Sequence, residues 1–327
     1  MTALHSFLLA DFLGTATWLW LTFFAVVIAL LAFDLGVLHR DAHEIGIRES
    51  LLLSAGYISV GLLFALWVWG QKGGDAGMDY LTGFLIEKSL SMDNVFLMAV
   101  IFNFLGIPRR YQHKVLFWGI LGVIVLRAAM IGLGAALIHQ FSGILYVFGV
   151  FLLLTGVRML FARLDETPDL ENNLLVRFLR SHLRITERLH EQRFFVRRPD
   201  TSGRPVLWIT PLLLALILIE CADVVFAVDS VPAIFAITQD PFIVYTSNIF
   251  AILGLRALYF ALAALIHRFA YLKYALALVL VFIGGKIFLV GIIGKLPAAL
   301  SLGVTLSLLV GGVLVSLWKT RDRAAGG

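Results

Sequence analysis

The sequence predicts an all-α, polytopic transmembrane helical bundle of about nine spans, and three observations predict it. Of the 327 residues, 60% are hydrophobic, and the mean hydropathy is +0.94. Only 14% are charged, against about a quarter in a typical soluble domain, so a soluble fold of this composition would lack a polar surface. Apolar runs of about 20 residues recur along almost the whole chain, each long enough to cross a bilayer.

Polar breaks divide the chain into spans at 17–38, 51–69, 80–105, 115–138, 143–161, 207–236, 242–265, 274–294 and 297–317. The first 16 residues hold no Lys or Arg, so the first apolar stretch reads as a retained helix and not as a cleaved signal peptide. The sixth span is long and contains Pro232, which predicts a bend or break there.

The basic residues set the orientation. Loops 39–50, 106–114, 162–206 and 266–273, with the tail from 318, hold 19 of the 26 Lys and Arg. The alternate loops hold only Lys72 and Lys295. Lys and Arg gather on the cytoplasmic side, so the N-terminus is expected outside and the C-terminus in the cytoplasm. The same distribution accounts for the net charge of +5 without a nucleic-acid partner. The single cysteine, Cys221, excludes a disulfide framework and a Cys-based metal site.

The long loop 162–206 carries Leu175, Phe178, Leu179, His182, Thr186 and Leu189 at helical spacing, with Arg177, Arg180, Arg184 and Arg188 between them. This pattern predicts either an amphipathic helix on the inner leaflet or a solvated topology signal, and the loop is a candidate docking site for a cytoplasmic partner. Phe194 to Asp200, followed by Thr201-Ser202-Gly203, predicts a short hairpin.

The chain beyond span two contains an internal repeat. Asp93-Asn94-Val95-Phe96 matches Asp223-Val224-Val225-Phe226, and Leu126-Arg127-Ala128 matches Leu255-Arg256-Ala257. Ile138-His139-Gln140-Phe141 matches Ile266-His267-Arg268-Phe269, and Gly156-Val157-Arg158 matches Gly284-Gly285-Lys286. The Asp-to-Arg spacing is 34 residues in one copy and 33 in the other. Three spans per copy is an odd number, so the second copy runs in the opposite sense. That is the inverted repeat of many secondary transporters, whose substrate sites lie near the midplane. The chain therefore divides into peripheral spans one and two (1–79), the first repeat (80–161), the Arg-rich loop (162–206), the second repeat (207–294), and span nine with its tail (295–327), all in one membrane domain.

Six acids fall inside the spans: Asp34, Glu87, Asp93, Glu220, Asp223 and Asp229. Five bases join them: Lys88, Arg127, Arg158, Arg256 and Lys286. Together they would cost on the order of 30 kcal/mol on the insertion scale if left uncompensated, so they have a purpose. Asp93 and Asp223 sit near mid-span, Glu87 and Asp229 about 9 Å further out, and Glu220 one turn inward of Asp223. Six residues turn a regular helix about 240°, so Glu87 and Asp93 face apart unless the helix is irregular, and unwinding near Val228 would re-aim Asp229. Asn94, on the face of Glu87, and Ser230 add neutral oxygens. Carboxylates, an amide and hydroxyls form a hard-oxygen set suited to Mg²⁺, Ca²⁺ or Mn²⁺, and crowded carboxylates can exchange protons. The structural alternative is pairing across the bundle, Asp93 with Arg127 and Asp223 with Arg256. Lys88 is placed to neutralise Glu87, Asp34 and Arg158 to pair locally near their span ends, and His139 and His267 to lie at the interface.

Two segments carry a family resemblance, Glu87-Lys88-Ser89-Leu90-Ser91-Met92-Asp93-Asn94-Val95-Phe96 and Glu220 through Ala236, supported by Thr246-Ser247-Asn248 through Ala257. They resemble the TerC family of integral membrane proteins, in its Alx-like branch, and the likeness covers nearly the whole chain. The resemblance implies a bacterial inner-membrane protein associated with manganese export and tellurite resistance. It carries the family's acidic motifs onto Glu87, Asp93, Asn94, Glu220, Asp223, Asp229 and Ser230. Manganese comes from the resemblance; the residues by themselves specify only a hard cation.

The expected function is a secondary transporter exporting a hard divalent cation, Mn²⁺, as its substrate, with no prosthetic group. Asp93, Asp223 and Glu220 would be core ligands, Glu87 and Asp229 would line the outward path, and Arg127, Arg256, Lys286 and Lys88 would serve ion pairing or proton coupling. No P-loop and no nucleophile–base set is visible, so the chain is not expected to be an enzyme. The rival readings are a non-transporting scaffold of a stress-response complex docking through 162–206, and an oxyanion transporter using the buried bases.

Overall fold

The computed structural model describes residues 2–36, 47–141, 143–161, 174–186, 188–199, 205–262, 271–294 and 296–325. Most of loops 39–50 and 266–273, and all of His267, Lys295 and Thr201-Ser202-Gly203, lie outside the described residues.

Long apolar runs become long helices. Helix α1 (Thr2–Leu9) leads into a hairpin of β1 (Asp11–Phe12) and β2 (Thr15–Ala16), then α2 (Thr17–Gly36), α3 (Ile47–Lys72), α4 (Gly74–Phe104), α5 (Arg109–Gln140) and α6 (Ile144–Phe161). The hairpin turn places Leu13 and Gly14 at φ 55° and 77°, the left-handed backbone that a two-residue turn requires. Next come α7 (Leu174–His182) and the antiparallel pair β3 (Phe195–Pro199) and β4 (Pro205–Ile209). The bundle resumes with α8 (Pro211–Phe235), α9 (Pro241–Leu253), α10 (Leu255–Leu262), α11 (Leu272–Ile293) and α12 (Ala298–Ala325). Pro211 and Pro241 open their helices, where the missing N–H costs nothing. Asp240 caps α9, its Oδ1 accepting from the Phe242 N–H at 2.9 Å, and pairs with Lys72 at 2.6 Å.

Among the described residues, eight helical segments are long and apolar enough to cross a membrane, counting Pro241–Phe260 across α9 and α10 as one. The remaining expected span is α4. It carries Asp75, Asp79, Glu87, Lys88 and Asp93 and is too polar to face lipid. Its neighbours α3, α8, α9 and α12 pack against it and bury Glu87, while Asp93 stays exposed.

The expected break in span six is not found. Helix α8 runs unbroken through Pro232, which sits in its last turn; the bond it forfeits is to the Val228 carbonyl one turn upstream, and the turn after it closes through the Ala236 N–H to the Pro232 carbonyl at 3.0 Å. The break lies in span seven, at Gly254 between α9 and α10. A Cβ there would meet Lys88 Nζ at 2.9 Å and Tyr57 Cβ at 3.0 Å, so the contact requires glycine. The Lys88 ammonium donates to the Ala251 carbonyl at 3.0 Å, at the C-terminal end of α9, where a cation is favoured. Span seven is the innermost: 94% of it is buried, against 17% for α6.

Three pairings organise the core: α4 on α9, α5 on α8, and α6 on α11. The last is a close backbone approach. Cβ atoms at Gly156 and Gly284 would stand 2.8 Å from the Ala277 carbonyl and 2.9 Å from the Gly149 carbonyl, so only small residues allow it. An aromatic core of Trp20, Phe23, Phe64, Phe84, Phe242 and Phe250 joins α2 and α3 to α4 and α9.

In the loop 162–206, helix α7 stops at His182, short of the expected Thr186 and Leu189. The chain bends there because Thr186 bonds to strand β4 through the Ile209 carbonyl at 2.9 Å. Val176 and Leu179 pack on the bundle, while Leu174 and Phe178 are exposed. The expected hairpin forms as β3 and β4.

Candidate functional site

Helical spacing gathers polar groups from four helices. On α4, Glu87, Ser91 and Asn94 share one buried face, at i, i+4 and i+7. On α8, Asp223 and Ser230 stand seven residues apart and are both buried. Arg127 enters from α5 and Asn248 from α9, at 1% and 0% exposure.

Arg127 is the hub. Its Nη2 and Nε donate to the two oxygens of Asp223 at 2.9 and 3.1 Å, a bidentate fork. Its Nη1 meets Glu87 Oε1 at 2.7 Å and donates to Ser230 Oγ at 2.7 Å and Asn248 Oδ1 at 3.4 Å. Asn248 Nδ2 in turn donates to the second Glu87 oxygen at 3.1 Å, and Asn94 Nδ2 to Asp223 at 3.4 Å. One guanidinium thus holds two carboxylates that would otherwise repel each other in a medium of low dielectric.

Glu87, Asn94, Asp223 and Ser230 therefore converge, in place of the expected core set of Asp93, Asp223 and Glu220. Asp93 does not join them. As the helical turn predicts, it stands on a different face of α4 from Glu87, yet both line the same cavity of about 500 Å³. That cavity is also lined by Asp229, Arg158, Lys273 and Thr155, with Glu87 and Arg127 at its inner wall. Asp229 reaches it without any unwinding of α8, and Thr155 Oγ1 donates to it at 3.4 Å.

Glu220 stands apart, against Gly119 and Gly122 of α5; a Cβ at Gly122 would collide with its carboxylate. Both of its oxygens are buried with no hydrogen-bond partner, as is Asn94 Oδ1. Among the described residues, no three His, Cys, Asp or Glu side chains are grouped to hold a metal ion.

The expected cross-bundle pairs are corrected. Arg127 takes Asp223 and Glu87 in place of Asp93, and Arg256 takes Asp34 of α2 in place of Asp223. Helix α5 packs on α8, whereas the α9–α10 break turns Arg256 toward the periphery. Lys88 leaves Glu87 for the Ala251 carbonyl, and Lys286 donates to Ser301 of α12 at 3.1 Å. Asn248 was not among the expected site residues. Its signal was the polar triplet Thr246-Ser247-Asn248 inside an apolar span.

Residues 72–324 match the family described as "Integral membrane protein TerC family". A Rickettsia bellii "Uncharacterized membrane protein" is 47% identical over 91% of this chain and 96% of its own length. A Myxococcus xanthus "Uncharacterized membrane protein STKORF319" is 48% identical, covering 93% of each chain. An Escherichia coli K12 protein named "Putative membrane-bound redox modulator Alx" is 47% identical over 94% of this chain and 98% of its own. No solved structure matches the chain.

Proposed function

The chain belongs to the TerC family of integral membrane proteins, and on that basis we propose that it is a secondary transporter exporting Mn²⁺ from the cytoplasm across a bacterial inner membrane. The observation that carries this reading is the convergence of Glu87, Asp223, Asn94 and Ser230 on the Arg127 cation, beside a cavity holding Asp93 and Asp229. In the transport cycle Arg127 is the resident counter-ion: the carboxylates keep it when the substrate is absent and exchange it for a divalent ion that enters through the cavity. The acceptor oxygens without donors, both of Glu220 and Oδ1 of Asn94, suit a cation in passage, and Glu220 lies one turn from Asp223 on the cytoplasmic side. Oxygen donors match Mn²⁺ and other hard ions; manganese among them rests on the family resemblance.

The packing supports an inverted repeat. Under a pseudo-twofold axis, the first helix of each copy should pack on the second helix of the other, and the third helices on each other. The pairings α4 on α9, α8 on α5, and α6 on α11 follow that rule, and Gly156 and Gly284 make reciprocal backbone contacts. In alternating access the two repeats rock about such a centre.

A redox role by thiol–disulfide exchange within the chain would need a second sulfur beside Cys221, and the sequence has one cysteine. A scaffold reading draws on the arginine-rich face of α7 and the β3–β4 hairpin, where Arg177, Arg180, Arg197 and Arg198 are exposed.

The test is cellular manganese content in a bacterium stripped of its other Mn²⁺ exporters. Expression of the wild-type chain lowers the content and Asp223→Asn does not. Unchanged content with wild-type protein present in the membrane refutes export. Loss of the phenotype on deletion of 174–209 but not in Asp223→Asn favours the scaffold.

A further inference from the structure

A second cavity, at the other end of α5, plays no part in this site. It holds about 710 Å³ between the β1–β2 turn, α2, α5, α9 and the end of α8. Trp20, Phe24 and Phe235 form aromatic walls, and the small residues Ala128, Gly132 and Ala136 form the opposite floor. The hydrogen-bonding side chains His139 and Gln239 stand at one end, beside the C-terminus of α5 and the start of α9. The indole N–H of Trp20 is already given to the Phe12 carbonyl at 3.1 Å, so the deep walls offer a ligand mainly carbon.

We propose that this cavity binds a membrane phospholipid, its headgroup ester region at His139 and Gln239 and an acyl chain running toward Ala128. Three observations fix the occupant. Its polar side chains, His139, Gln239 and, one turn into α9, Tyr245, gather toward one end, which selects an amphiphile. From His139 to Ala128 the floor is 11 residues of helix, about 16 Å at the helical rise, and half of a hydrocarbon core about 30 Å thick is nearly the same length. The rim residues Phe12 and Phe24 are 53% and 40% exposed, so the ligand enters from the leaflet at that end of α5. The volume lies in the range of specific small-molecule sites, about 300–1,000 Å³, and the cavity is open on one side, its floor residues Ala128, Gly132 and Ala136 being exposed, as entry from the bilayer requires. This inference does not depend on transport.

The test uses the full chain purified in mild detergent. Native mass spectrometry should find wild-type protein with retained phospholipid. A Cβ at Gly132 meets nothing within 4 Å, so Gly132→Trp projects into the cavity without a backbone clash and abolishes retention. Gly303→Trp, at an exposed glycine of α12 that is equally open, keeps the lipid. Should Gly132→Trp fail to fold, photo-crosslinking of the wild type decides. A phospholipid with a diazirine at the chain terminus labels α5 near Ala128, and one with the diazirine near the ester labels it near His139. Retention unchanged in folded Gly132→Trp, labels in the reverse order or absent, or an isoprenoid quinone as the retained molecule would each overturn the assignment.

Discussion

Arg127 and Arg256 occupy the same Leu-Arg-Ala motif in corresponding helices, yet the fold employs them differently. Arg127 lies between α4, α8 and α9 and neutralises two carboxylates at once. Arg256 turns outward and pairs with Asp34 on peripheral α2. Neither Asp34 nor Arg256 is among the residues lining the 500 Å³ cavity. The difference teaches that a repeated motif acquires its role from what the facing helix presents. One arginine joins α5 to α4 and α8 at the site, and the other ties α10 to α2.

The comparison is broken most severely at Arg127. Arg127→Met leaves Glu87 and Asp223 buried without a counter-charge and should destabilise the protein by about 5 kcal/mol, the upper range for breaking a buried ion pair. Membrane extracts should then contain little monodisperse protein by size-exclusion chromatography. Arg256→Gln strands one carboxylate and should cost about 3 kcal/mol, read by denaturant titration in mixed micelles. Adding Asp34→Asn to Arg256→Gln should restore most of that stability together with manganese export. The matched pair Arg127→Gln and Asp223→Asn should abolish export whether or not stability returns, and export surviving in that double variant would erase the distinction between the two arginines.

Smaller effects sharpen the picture. Asn248→Ala removes the amide that bonds both Glu87 and Arg127 and should cost about 1–3 kcal/mol, with export reduced because both charged groups lose a restraint. Lys88→Met removes the cation at the end of α9 and should cost about 1 kcal/mol. A loss in Lys88→Met as large as that in Arg127→Met would mean that the helix break, not the carboxylate hub, organises the site.

Much of the fold was legible because apolar runs of spanning length become long helices. Glu87 and Asn94 share a face by their seven-residue spacing on a regular helix, and the same geometry placed Asp93 on a separate face; the equal spacing of Asp223 and Ser230 went unread. Pro232 misled because it forfeits a single bond, to the Val228 carbonyl, and leaves the turn that follows it hydrogen-bonded. The actual break, at Gly254, has no proline and depends on the approach of Lys88 and Tyr57 from other helices. Partner choice was the least legible feature. Arg127 and Arg256 look alike locally, and only the packing of α5 on α8 and of α10 on α3 separates their partners. Asn248 escaped notice because one amide in an apolar span resembles core filling until both charged neighbours are in place.

The central claim is that the Arg127 carboxylate cluster is the path of a divalent cation. The most direct measurement is Mn²⁺ uptake by inside-out membrane vesicles, compared with Ca²⁺, Mg²⁺ and Zn²⁺, for the wild type, Asp223→Asn and Glu87→Gln. The account predicts selective Mn²⁺ uptake by wild-type vesicles and its loss in both variants at equal protein levels. Absence of flux for every cation with folded wild-type protein and an imposed gradient, or undiminished Mn²⁺ uptake in Asp223→Asn, would contradict it.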